Sequence, residues 1–164
     1  YSLGTVGMHG RKIANYATLN TDLLIAIGCR FSDRITGNLK TYAENAKVIH
    51  ADIDPAEIGK NVAVDIPIVG SAKEILKELI IAVKNLKVTE RTEWTSKIKR
   101  LKKCCDACVP TPKTKRLHPK FVMQTLNGIL EPDDIVVTGV GQHQMFAGHF
   151  LTFTKIHALQ RFII

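Results

Sequence analysis

The feature that most constrains this chain is a repetition within its first 70 residues. Short apolar runs stop at a glycine or an acidic turn: "DLLIAIG" at 22–28, "AKVIHADID" at 46–54 and "VAVDIPIVG" at 62–70. The first is apolar at every position from Leu23 to Ile27, so as a strand it has no solvent face. Strands of this kind, separated by segments too long for hairpins, predict a parallel sheet covered by helices. The expected fold class is α/β, a Rossmann-like parallel sheet with helices on both faces, plus an incomplete second α/β unit.

Between the runs, "RKIANYATLNT" suits a short amphipathic helix and "CRFSDRITGN" a polar loop. "SAKEILKELIIAVKNL" predicts a helix over 71–86, with Ser71 as N-cap and Ile75, Leu76, Leu79, Ile80 and Val83 at helical spacing. Residues 90–104 predict another helix with only a narrow apolar stripe, Trp94, Ile98 and Leu101, packed loosely on its neighbour. "VPTPKTKR" carries two prolines and no periodicity, which marks a linker. A new helix starts near His118 with Pro119 in its first turn, and "DDIVVTGVG" then "QHQMFAGHF" predict a strand followed by a helix. The expected organisation is a Rossmann-like domain over 1–86, a basic helix and linker over 87–117, and the start of a second α/β domain over 118–164.

The net charge of +8 is concentrated between residues 84 and 120, where 12 Lys/Arg face 3 Asp/Glu. That segment lacks interleaved aromatic residues and glycine-rich turns, so it reads as a solvated helix and linker rather than a nucleic-acid surface. No apolar run approaches the ~20 residues that span a bilayer, and the N-terminus lacks the pattern of a signal peptide. A soluble, cytoplasmic protein with no membrane partner is expected. Tyr1 in place of an initiator methionine points to a processed, excised or partial chain.

In open parallel sheets, ligands bind beyond the carboxyl ends of the strands. Here those places hold Gly4, Gly7 and Gly10 at spacing three, Arg30 and Arg34 around Ser32 and Asp33, and Asp52 with Asp54. Each admits two readings. The glycines serve close approach to a ligand or merely a turn with positive φ. The arginines fork onto a phosphate or pair with Asp33. The aspartates accept from ribose hydroxyls or cap their own loop. No G-x-G-x-x-G follows the first strand, which argues against a standard NAD site.

His9, His143 and His149 lie near glycine-rich turns without a nucleophile to pair with, so hydrogen bonding in a binding loop is the expected role for the first two. Cys29, Cys104, Cys105 and Cys108 include one C-x-x-C, but no second half-site follows. Reduced thiols and no metal site are expected.

Together "GMHGRKIANYA", "DLLIAIGCRFSDRITG", "KVIHADIDPAEIGKN", "VDIPIVGSAKEIL" and "TGVGQHQMFA" closely resemble the large catalytic subunit of acetolactate synthase, in the same order and over residues 3 to about 154. The resemblance implies the central FAD-binding domain of that thiamine-diphosphate-dependent family plus the first helix and strand of its C-terminal domain. It implies that Gly7, Met8 and His9 line the flavin, that Gly28, Cys29, Arg30, Ser32 and Arg34 hold the ribityl and phosphate part, and that Asp52 and Ile53 contact the adenosine. Gln142 and His143 match the turn that touches thiamine diphosphate. FAD is structural in that family, and thiamine diphosphate with Mg2+ serves the complete enzyme, clamped between two subunits. A homo-oligomer, or pairing with a synthase subunit, is therefore implied.

The chain departs from the family at Ser32, where Asp is frequent, at Gly70–Ser71–Ala72, where G-D-V is usual, and at Phe146, usually Trp. The activating glutamate and the magnesium-binding segment have no counterpart in it, so no catalytic or metal-binding residue is expected here. After Lys155 the sequence no longer follows the family. The resulting expectation is a fragment or truncated homologue of the large subunit, inactive alone in joining pyruvates at the start of branched-chain amino acid synthesis. The alternatives are a non-catalytic FAD- or nucleotide-binding or subunit-interaction module, and part of another thiamine-diphosphate-dependent 2-oxo-acid enzyme. Residues 135–140 and the final "FII" are expected to lack a sheet of their own and to pack back on the central domain, pair with another chain or be poorly ordered.

Overall fold

The computed structural model describes residues 2–87, 90–107, 117–131, 133–151 and 162–163. Strands β1 (Leu23–Ile27), β2 (Lys47–Asp52) and β3 (Ile66–Val69) form one sheet in the order β1-β2-β3, parallel throughout. Leu24 pairs with Val48 and Ala26 with His50. Because side chains alternate along a strand, these four share one face.

That face is closed by the chain that follows β1. Phe31, Tyr42 and Ala43 form a buried cluster with Ala26 and Val48. The Phe31 ring meets Tyr42 edge-on at 6.0 Å and His50 at 4.9 Å. Phe31 has φ 47°, a conformation costing a non-glycine residue about 1–2 kcal/mol. Complete burial of its ring outweighs that cost. The same segment contains a four-residue helix, α2 (Asp33–Thr36), where the sequence reads as irregular loop. Four residues are too few for periodicity to register.

Helix α3 (Ala72–Lys84) packs on β2 and buries Ile75. Its N-cap is Ser71, as expected, although the hydroxyl makes no cap hydrogen bond. Helix α1 (Lys12–Leu19) packs instead on α4 (Thr92–Ala107), burying Ile13, Ala14 and Ile98. The narrow stripe of the basic helix thus has a definite seat. Cations fasten it there: the Lys97 ammonium lies 5.4 Å from the Tyr16 ring centre, and the Lys102 ammonium donates to the Ser2 carbonyl at 2.9 Å.

Helices α5 (Pro119–Asn127) and α6 (Gln142–Phe150) pack together. His118 caps α5, its Nδ1 accepting from the Lys120 N–H at 3.2 Å. Strand β4 (Val136–Val137) pairs in parallel with β5 (Phe162–Ile163). This corrects the expectation that the 135–140 run and the tail lack a sheet: Val136 and Val137 pair with Phe162 and Ile163. The linker at 109–116, Cys108 and residues 155–161 lie outside the described residues. Among the described residues no helix is long and apolar enough to cross a membrane.

Candidate functional site

The three strand ends lie along one edge. The Gly28 N–H donates to the Ala51 carbonyl at 2.8 Å and the Gly70 N–H to the Asp52 carbonyl at 2.9 Å. Gly28 has φ 62°, and, its chain neighbours aside, no atom of the described residues lies within 4 Å of the position a Cβ would take. Its backbone therefore faces open space at the carboxyl end of β1. Cys29 beside it is half-buried and packs against the core cluster.

Arg30 and Arg34 are exposed and make no ion pair among the described residues. The Asp33 carboxylate accepts from the Arg34 backbone N–H at 2.9 Å rather than from a guanidinium. Ser32 is the N-cap of α2 by position, its carbonyl accepting from the Ile35 and Thr36 N–H groups while its hydroxyl makes no cap bond. Of the two readings of the arginines, the pair with Asp33 is not realised.

The glycine loop is built tightly onto this segment. The Met8 N–H donates to the Arg34 carbonyl at 2.8 Å. Asn15 on α1 holds Gly7 from the other side, its Oδ1 accepting from the Gly7 N–H at 2.7 Å and its Nδ2 donating to the Gly7 carbonyl at 2.9 Å. A Cβ at Gly10 would stand 2.6 Å from the Thr5 carbonyl oxygen. The glycines thus serve close approach of the chain to itself, as well as positive φ at Gly4 and Gly7.

Gly7, Met8, Asn15, Asp33, Arg34 and Tyr42 line a cavity of about 320 Å³. Burial, and then the neighbouring Cys29, push the Tyr42 phenol above its ordinary range. His9 is exposed and is not among the lining residues.

At the end of β2 the Asp52 carboxylate accepts from the Asp54 N–H and the Asp54 carboxylate from the Ala56 N–H, each at 2.9 Å. The capping reading of these aspartates is therefore realised. Ile53 between them is 74% exposed. The candidate residues fall into two groups: Gly7, Met8 and Arg34 at the cavity, and Gly28, Asp52 and Ile53 along the strand ends.

Gln142 and His143 form a separate cluster at the start of α6. A Cβ at Gly139 or Gly141 would stand 3.4 or 3.1 Å from the His143 ring, so the imidazole is folded over the turn that precedes it. With Pro119, Val122, Met123 and Phe146 they line a second cavity of about 310 Å³. The far end of α6 reaches back to the first site, where the Arg11 guanidinium donates to the His149 carbonyl at 2.6 Å.

Sequence reasoning missed Asn15, Tyr42 and Arg11. The one signal for Asn15 was an amide beside Ile13 and Ala14, on the inward side of a short helix. It also missed His50, wholly buried at 0% exposure with neither ring nitrogen hydrogen-bonded among the described residues. No group of three or more His, Cys, Asp or Glu side chains that could hold a metal ion occurs among the described residues.

Residues 1–79 match the family described as thiamine pyrophosphate enzyme, central domain. Over 154 residues the chain is 48% identical to the probable acetolactate synthase large subunit of Methanocaldococcus jannaschii, an overlap covering 91% of this chain and 26% of that protein. It is 45% identical over 157 residues to the acetolactate synthase of Mycobacterium leprae, covering 94% of this chain and 25% of the relative. With the acetolactate synthase large subunit of Corynebacterium glutamicum the identity is 46% over 155 residues, 93% of this chain and 25% of the relative. The chain thus spans about a quarter of the length of the curated relatives it matches.

Proposed function

We propose, from the premise that the chain belongs to the thiamine pyrophosphate enzyme family of the acetolactate synthase large subunits, that its sheet edge and glycine loop bind FAD. Gly7, Met8 and His9 would lie against the flavin. Gly28, Cys29, Arg30, Ser32 and Arg34 would hold the ribityl and diphosphate part, and Asp52 with Ile53 the adenosine. The observation that carries this reading is Gly28: a positive φ and open space at a strand end, followed by two exposed arginines that no carboxylate engages among the described residues. Forked guanidinium groups suit diphosphate oxygens, and the carboxyl ends of parallel strands are where nucleotides bind.

The activity proposed for the whole protein is the joining of two 2-oxo acids with loss of carbon dioxide, in branched-chain amino acid synthesis. Thiamine diphosphate, held with Mg2+, would supply the carbanion stabilisation this chemistry needs. The contribution of this chain would be the Gly139–His143 turn, with Gln142 and His143 directed at the cofactor. Residues 1–86 would form the flavin domain, 87–117 a basic connector and 118–164 the start of the thiamine-side domain. A homo-oligomer or pairing with a synthase subunit, in the cytoplasm, completes the proposal.

Titration with FAD tests the reading directly. The expected result is a yellow complex with a raised Tm, competition by ADP, and at least a tenfold weaker Kd, about 1.4 kcal/mol, when Arg30 and Arg34 are both changed to Ala. If neither FAD nor ADP moves the Tm, the reading fails.

A further inference from the structure

Arg11 links the glycine loop to the C-terminal end of α6. Its backbone N–H closes the glycine loop on the Thr5 carbonyl at 2.8 Å, and its own carbonyl accepts from the Asn15 N–H at 3.0 Å. Its side chain runs along Gly4 so closely that a Cβ there would stand 2.8 Å from Arg11 Cδ. The guanidinium then donates to the His149 carbonyl at 2.6 Å. His149 lies in the last turn of α6, where carbonyls have no partner within the helix and a cation is favoured by the helix dipole.

The other end of the same nine-residue helix carries Gln142 and His143. Asn127 on α5 donates to the adjoining Phe150 carbonyl at 2.8 Å, so the end of α6 that Arg11 grips is also fixed to α5. A short helix is stiff, and displacement at one end reaches the other. The glycine loop is in turn anchored through the Asn15 clamp on Gly7.

We propose that Arg11 is a positioning residue that couples the glycine loop to the Gly139–His143 turn through α6, so that the two tighten and loosen together. The functional consequence, a flavin-side loop steadying a thiamine-side turn, rests on the reading above. The coupling itself needs no ligand.

A double-mutant cycle read by hydrogen exchange of the full chain tests it. Asn15→Ala loosens the loop without touching α6. With Arg11 present it is expected to speed exchange of the α6 amides between Met145 and Leu151 by about fivefold, and with Arg11→Met by less than about twofold. A role for Arg11 confined to capping α6 would make α6 exchange insensitive to Asn15→Ala in either background. Should Asn15→Ala not fold, Met8→Gly at an exposed residue loosens the same loop and completes the cycle. An unchanged α6 in the Arg11 background, or equal changes in both backgrounds, overturns the proposal. FAD titration of the parent chain decides the flavin reading separately, since the cycle is read without ligand.

Discussion

Gly7 lies so close to Arg34 that a Cβ at residue 7 would stand 2.4 Å from the Arg34 carbonyl oxygen. Gly7 also has φ 107°, a conformation that L side chains rarely adopt. Backbone on both sides leaves nothing that can swing away. Gly7→Ala should therefore destabilise the chain by about 3 kcal/mol, strain and overpacking together. Urea unfolding checks this, and a loss under 1 kcal/mol would mean that the loop can part from Arg34.

The Asp22 carboxylate pairs with the Arg91 guanidinium, tying the start of β1 to the approach of α4. The hydrogen bond from Arg91 holds the carboxyl below its ordinary value of 3.8. A carboxylate so lowered contributes stability that is present above the unfolded value and lost as pH falls through the folded one. The sole tryptophan, Trp94 in α4, should report loosening of this helix only below about pH 4. In Asp22→Asn that pH dependence should be absent. Because the pair is exposed, salt should weaken it. Trp94 fluorescence that follows the same acid titration in both proteins would refute the assignment.

The sheet was legible because its strands are short, nearly unbroken apolar runs, although the expectation that β1 has no solvent face fails here, Leu23 and Ile25 being 46% and 48% exposed. Helices α1, α3 and α5 were legible from cap residues and periodicity. Asn15 and Arg11 were not, because an amide gripping a glycine eight residues earlier and a guanidinium reaching a carbonyl 138 residues away depend on tertiary placement. The pairing of β4 with β5 was illegible for the same reason: a two-residue strand has no period. At Asp52 and Asp54 the types and positions were plain, but only coordinates separate loop capping from ligand contact.

Tyr42 offers an alkaline counterpart to Asp22. Its phenol is pushed up from 10.0 chiefly by burial, with the adjacent Cys29 adding to the effect. Since the folded value exceeds the unfolded one, the stability it contributes is whole below pH 10 and declines as pH rises above that. Absorbance at 295 nm should show a phenol that ionises only above pH 10 or together with alkaline unfolding, and Tyr42→Phe should remove that late step. An alkaline titration that is the same in the parent chain and in Tyr42→Phe, apart from the loss of one phenol of ordinary pKa, would contradict its burial.

Gly28 separates binding from folding in a way that Gly7 cannot. Both have positive φ, but, its chain neighbours aside, no atom of the described residues lies within 4 Å of the Cβ position at Gly28, so an added methyl there meets chiefly the strain of a left-handed backbone. Gly28→Ala should lower stability by about 1–2 kcal/mol, and Gly28→Asn by less, because asparagine tolerates that conformation. Either side chain would project into the space proposed for the ribityl diphosphate. If FAD lies there, both variants should lose at least tenfold in affinity, about 1.4 kcal/mol, while remaining folded. An alanine variant that binds FAD as tightly as the parent chain would place the ligand elsewhere, at the Gly7–Arg34 cavity alone. Isothermal titration beside a melting curve distinguishes the outcomes, because the asparagine variant keeps its fold whether or not the ligand is lost.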